Sequence, residues 1–328
     1  MAEKEKNKEV MFTKPLKLSL KERKILYLLR LNCRMPVSEI AKKIGSSREL
    51  TQYTLKKLIE KKIIGRFFAL VDYNRLGYER YYLLIKFKNN VSNKSDEFIK
   101  SIKKIDGVRR IYHFFRSFDI LIEIACPNIN EVDKIFFEIK NLTKDILTKY
   151  YSLRILKKVY CPTKFLLSDS EIKTLNVNSE IIKRIKDEQY VISEGEKVIL
   201  NELHDYPRIS ITELSKKSKF SYNKTKSLVE SLIKNKIILG IMTSFNFSLK
   251  RFEGLNSFEV FLRFNEDEKH SRKSFEEFLE RHRYVSSYIR FTASVYDYLV
   301  WIYAPHINDL NDMLSKISGA FPDNLEIF

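Results

Sequence analysis

The sequence predicts an α+β fold written twice: two winged helix-turn-helix domains, each followed by a ferredoxin-like βαββαβ sandwich. Two observations predict it. Residues 19–64, slid by 174 positions, fall on 193–238 without a gap, and sixteen of the 46 pairs are identical. Behind each copy the apolar pattern runs strand, helix, strand, strand, helix, strand. There "FDILIEIACPNINEVDKIF" parallels "YDYLVWIYAPHINDLNDML", which sets Asp119 against Asp297 and Pro127 against Pro305. A period this long marks a duplicated two-domain unit, not a solenoid.

Each copy opens with three helices. The first starts at an S-x-x-E capping box, Ser19 to Glu22 and again Ser193 to Glu196. Its buried face in copy one is Ile25, Leu26, Leu28 and Leu29. The second helix spans about 37–44 and stops at Gly45, which tolerates a left-handed turn. Ser47 caps the third, whose spacing predicts a buried stripe of Thr51, Leu55, Leu58 and Ile59. The copy's stripe is Thr225, Val229, Leu232 and Ile233. "IIGRFFALVDYNRLGY" then reads as a short ribbon, or wing, broken at Asp72-Tyr-Asn.

The sandwich strands are expected near 81–88, 108–116, 118–125 and 150–159, with helices near 93–104 and 129–145. The second set is expected near 257–264, 270–282, 286–293, 296–304, 307–318 and 324–328. Both helices lie on one face of such a sheet, so its other apolar face needs a cover, and a second sheet of the same kind supplies one. The domains are a mobile basic tail (1–18), winged helices (19–78 and 193–254), sandwiches (79–160 and 255–328) and a linker (161–192). In the linker, "EIIKRIKDEQ" reads as an extra helix.

Lys and Arg number 60 against 42 Asp and Glu, a net charge of +18. That sign suits a polyanionic partner, although a Lys-, Ile- and Asn-rich composition from an AT-rich genome produces it too. Only 8 Gly and 7 Pro argue against long flexible linkers. The cysteines Cys33, Cys126 and Cys161 form no CxxC pair and suit a reducing compartment. No signal-like segment or membrane-length apolar run is present, so a cytoplasmic protein without membrane contact is expected. Zinc spacing, HExxH, a phosphate loop, a GxSxG elbow and a dinucleotide fingerprint are all missing, so no metal, cofactor or catalytic residue is expected.

"LKERKILYLLRLNCRMPVSEIAKKIGSS…LKKLIEKKIIGRFFALVDYNRLGY" resembles the Lrp/AsnC (feast/famine) transcription regulators. It carries a D/E-x-K-I-L-type start, the "SEIAKKIG" second helix, the L-x-x-L-x-x-x-x-I-I third helix and the "LVDYNRLGY" bridge. The resemblance covers most of 19–160, and the internal repeat extends it to 193–328. It implies double-stranded DNA as partner, no enzyme activity, and sandwiches that pair sheet to sheet, either within one chain as a pseudo-dimer or between chains. It also implies an amino-acid effector at the dimer edge, at positions matching Ser117, Asp119, Val295 and Asp297. The sequence departs from the family in having two units on one chain and Lys219-Phe220 where copy one has Gly45-Ser46. "RSFD" and "SVYD" also lack the glycine that gives a ligand room.

A recognition helix enters the major groove N-terminus first. The residues expected to face DNA are therefore Ser46, Ser47, Arg48, Glu49, Gln52, Tyr53, Lys56 and Lys57, with Tyr222, Asn223, Lys224 and Lys226 in the copy. Arg48 suits guanine, Gln52 and Asn223 suit adenine, and the lysines suit phosphates. Two other readings stand beside this one. One is a sequence-tolerant architectural DNA-binding protein. The other is an enzyme resembling siroheme decarboxylases, in which His113 with Arg109, Arg110 and Arg116 would hold a tetrapyrrole.

Overall fold

A computed structural model describes residues 16–88, 92–113, 118–177, 182–184, 189–246, 254–264, 269–292, 294–321 and 325–327. The expected basic tail lies almost wholly outside them. The first unit comprises α1 (Leu20–Leu31), α2 (Val37–Ile44), α3 (Arg48–Glu60) and β1 (Ile64–Val71). Its sandwich follows as β2 (Glu79–Phe87), α4 (Ser92–Ile102), β3 (Val108–His113), β4 (Ile120–Cys126), α5 (Ile129–Thr143) and β5 (Leu147–Tyr160). The linker holds α6 (Asp169–Thr174) and β6 (Ile182–Arg184). The second unit comprises α7 (Glu194–Asp205), α8 (Ile211–Ser218), α9 (Tyr222–Lys234) and β7 (Ile238–Phe245). Its sandwich is β8 (Asn256–Phe264), α10 (Lys269–Arg281), β9 (Val285–Thr292), β10 (Tyr298–Ala304), α11 (Ile307–Ala320) and β11 (Leu325–Ile327).

The helix ends obey the local chemistry. Both predicted capping boxes form, at Ser19/Glu22 and Ser193/Glu196. Gly45 ends α2 in the left-handed conformation at φ 67°, and Lys219 ends α8 in the same conformation at φ 59°. The second turn therefore keeps its shape without glycine, at a cost of about 1–2 kcal/mol for the side chain's crowding.

Three expectations need correction. Ile59 and Ile233 are not buried with their stripes; they are 42% and 50% exposed. Each stands on the last turn of its helix, one residue past the buried Leu58 or Leu232, and is turned toward solvent. The wing is not a self-contained ribbon: β1 pairs antiparallel with β7 of the other unit, in a two-stranded sheet of its own. The linker segment read as a helix instead contributes β6, which pairs with the end of β5. Ile182 is β-branched and meets an open strand edge there, so ladder hydrogen bonds outweigh helix propensity.

The remaining strands form one sheet, ordered β11-β8-β10-β9-β5-β2-β4-β3 with β6 attached to β5. The long β5 is the seam: its first half pairs with β2 and its second half with β9, with an irregularity between Ile155 and Lys157. Strand alternation divides the burial. Leu83, Ile85, Ile122 and Ile124 pack under α4 and α5, whereas Tyr82, Leu84, Leu121 and Leu153 meet Phe261, Ile289, Phe291 and Leu299 of the second sandwich. The apolar sheet face is thus covered within one chain, by its own duplicate.

The winged helices also share a core, with Leu26 and Leu58 in one cluster with Leu203 and Leu232. Each first helix packs on the other unit's wing strand, α1 on β7 and α7 on β1. The Cys33 amide donates to the Ile241 carbonyl (2.8 Å), and Arg34 Nη2 donates to the Ile209 carbonyl (2.6 Å).

Candidate nucleic-acid interface

The sequence gives α3 and α9 one buried stripe each, Thr51/Leu55/Leu58 and Thr225/Val229/Leu232. The remaining positions are therefore turned outward. Arg48, Glu49, Gln52, Tyr53, Lys56 and Lys57 are all exposed, as are Tyr222, Asn223, Lys224 and Lys226. Ser46 is half-buried, and its hydroxyl is enclosed without a hydrogen bond among the described residues. Ser47 caps α3, its hydroxyl accepting from the Leu50 amide at 3.1 Å. Ser221 does the same for Lys224 at 3.3 Å.

Several exposed lysines are braced on their own helix. Lys57 Nζ sits 4.4 Å from the Tyr53 ring centroid, and its hydrogen bond to Tyr53 raises its pKa. Lys56 pairs with Glu60 at 3.8 Å and Lys226 with Glu230 at 3.9 Å. Lys224 lies 4.4 Å over Phe220, the residue that replaces Ser46 in the second turn. Each helix therefore presents cations along an open face, held at defined positions.

The effector positions look different. Asp119 Oδ2 accepts from the Phe87 amide at 2.7 Å, and Asp297 Oδ2 accepts from the Phe264 amide at 2.8 Å. Their second oxygens take Lys86 (3.2 Å) and Arg272 (2.9 Å). Both carboxylates are engaged in holding strand ends. Val295 is 41% exposed, and Ser117 lies outside the described residues.

Of the His113 constellation, Arg110 is turned away from His113, while Arg109 lies beside Cys126 on the helix side. His113 pairs with Ile120, on the helix side of the sheet, whereas Tyr112 pairs with Leu121, on the sheet-to-sheet side that Arg110 shares. Arg116 lies outside the described residues, and among these no cluster of His, Cys, Asp or Glu could hold a metal.

A second charged group lies where the two sheets meet the paired wings, and sequence reasoning missed it. Arg80, Glu123 and Lys158 are buried. Arg80 Nη2 donates to Glu123 at 2.6 Å, Arg110 approaches the other oxygen at 3.5 Å, and Lys158 stands 4.0 Å away. Burial alone would raise the Glu123 carboxyl; Lys158, Arg110 and Arg80 outweigh it and hold the group well below the usual carboxylate range. Lys158 Nζ donates to the Tyr82 hydroxyl at 3.2 Å and lies 5.6 Å from the Trp301 ring. The available signal was a lone carboxylate inside the apolar run "ILIEIAC", facing a lone arginine in "ERYYLLIKF".

Comparison with known proteins fits this geometry. A family model described as winged helix-turn-helix DNA-binding matches residues 18–64. The regulator LysM of Sulfurisphaera tokodaii is 33% identical over 119 residues, which is 36% of this chain and 82% of that protein. The chain belongs to the Lrp/AsnC family. A further Lrp/AsnC-like relative, the regulator Zrp of Zymomonas mobilis, is 25% identical over 142 residues, 43% of this chain and 93% of its own length. Those relatives match one unit of the Lrp/AsnC repeat. The siroheme decarboxylase NirDL matches the two-unit fold, with TM-score 0.59 over 94% of this chain and 89% of that one. At 15% identity that likeness is one of fold. This Lrp/AsnC protein is a DNA-binding transcription regulator.

Proposed function

We propose that α3 and α9 both enter the major groove and that one chain supplies two unlike readers. The observation behind this is that the second helix-turn-helix keeps its turn, with Lys219 in the conformation of Gly45, and keeps an exposed polar face on α9. Arg48 is assigned to guanine, Gln52 and Asn223 to adenine. Lys56, Lys57, Lys224 and Lys226 are assigned to phosphates, where they set affinity and register. Ser46, Ser47, Glu49, Tyr53 and Tyr222 border the contact. Because the two faces differ, the site on DNA is asymmetric, with half-sites about one helical turn or a multiple of it apart.

On this reading the chain binds and does not catalyse. A tetrapyrrole enzyme on the same fold required His113 beside the arginines, and Arg110 stands on the opposite face of β3 from it. Purified protein is incubated with fragmented genomic DNA and excess random competitor near physiological salt, and the retained fragments are sequenced. A few enriched fragments sharing an asymmetric motif are expected. Even, sequence-blind recovery would replace the regulator with an architectural protein.

A further inference from the structure

From the buried charges between the wings and the sandwiches, we infer that the chain carries a binding site for a small oxyanion of two or more charges, a polycarboxylate or a phosphate. The site is built from both tiers of the molecule. The sheet supplies Arg80, Arg110 and Lys158, the wing supplies Arg66, and the first helix of the reading head supplies Arg30. Arg66 and Arg110 both approach the Phe68 ring, at 5.9 and 5.7 Å, and Arg30 lies 5.8 Å from the Tyr160 ring.

Charge balance is the first argument. Glu123 is the anion that Arg80, Arg110 and Lys158 share. The next carboxyl toward Tyr303 is Glu259, whose pKa burial raises. Arg80 and Lys158 are buried, Arg30 and Arg110 partly so and Arg66 exposed at the rim, and cations withdrawn from water need a counter-charge. Hydrogen bonding is the second. Arg80, with 1% of its side chain accessible, leaves Nε and Nη1 without an acceptor among the described residues, and Arg30 leaves Nε so. A guanidinium fork with open donors matches carboxylate or phosphate oxygens. Arg80 also borders a cavity of about 100 Å³ lined by Asn74, Arg154, Gln189 and Glu79, the last paired with Arg154 at 2.9 Å.

The third argument comes from the repeat itself. Strand register sets Arg80, Tyr82, Glu123 and Arg110 of the first sandwich against Ser257, Glu259, Trp301 and Ser287 of the second. If the fold needed buried charge at this end of the sheet, both copies would carry it. One copy has the cations; the other has two serines, Trp301 and the half-buried Glu259, so the cluster of cations belongs to the first copy.

Trp301, the chain's single tryptophan, stands against Lys158 and Tyr112 (ring centroids 6.2 Å apart) and reports occupancy without a label. The full chain, free of DNA, is titrated with citrate, inorganic phosphate and acetate at matched ionic strength while Trp301 fluorescence is read. Saturation by citrate or phosphate below millimolar, with no saturation by acetate, is expected, and whichever of the two saturates first names the ligand chemistry. Arg30→Gln and Arg110→Gln should each weaken that binding tenfold or more, and exposed Lys134→Gln should leave it unchanged. Arg30→Lys, which keeps the charge, guards against misfolding and should retain most of the affinity. Equal, unsaturating responses to all three anions, or full affinity in both glutamine variants, would overturn the site. The site rests on no DNA contact, so its failure leaves the regulator intact, and the loss of DNA binding would leave the site intact.

Discussion

At the scale of single residues, three side chains carry separable consequences. Lys219 holds a backbone conformation that crowds its Cβ, and glycine there would relieve about 1–2 kcal/mol while costing about 0.5–1 in chain entropy. Lys219→Gly is therefore expected to stabilise by up to about 1 kcal/mol, and Gly45→Lys to destabilise by a similar amount, both read from urea midpoints. Glu123 is the reverse case, a carboxylate whose removal strands its neighbours. Glu123→Gln should cost about 3–5 kcal/mol, the penalty for breaking a buried ion pair from one side. Its folded pKa is depressed, so its contribution is complete above the unfolded glutamate value near 4.3 and is lost as pH falls toward the folded one. Acid titration of the parent followed by circular dichroism should show that loss, and the Gln variant should lack it. Arg48 belongs to recognition. Arg48→Ala should lower specific affinity by about 1–3 kcal/mol in a gel-shift titration and leave random-sequence binding nearly unchanged.

At the scale of elements, the recognition helices divide their labour along their length. The lysines hold no base information, so Lys56→Ala should weaken specific and random DNA alike and flatten the plot of log affinity against log salt by about one unit. An unchanged slope would remove Lys56 from the phosphate contact. This scale also shows how much the sequence disclosed. The capping boxes, the turn at Gly45 and the strand–helix order of both sandwiches were legible, because each rests on residues close together in the chain. The pairing of β1 with β7 was not, because a β-branched run declares a strand without declaring its partner 174 residues away. The same holds for β6. The candidate recognition residues on the helices followed from a helical stripe and are exposed, whereas Ser46 in the turn is half-buried. The charged group at Arg80 and Glu123 was hidden, since each strand contributes one ionisable residue and only the sheet assembles them.

At the scale of the molecule, both tiers close on themselves. The sheets bury each other across the seam at β5 and β9, and the reading heads interlock through the wings and a common core. One chain per asymmetric DNA site is the expected stoichiometry, and calorimetric titration of a defined site checks it. Two chains per site would show that reading requires a second copy.

The seam at β5 and β9 has a quantitative consequence for control. A regulator assembled from separate subunits loses its active form as it becomes scarce, so its promoter occupancy falls more steeply than its abundance. Here the two halves remain at a fixed, high effective concentration however dilute the cell keeps them. With one chain per site, as the expected stoichiometry has it, occupancy follows the first power of protein number. A gene encoding this chain can be expressed at a few copies per cell and still answer in proportion.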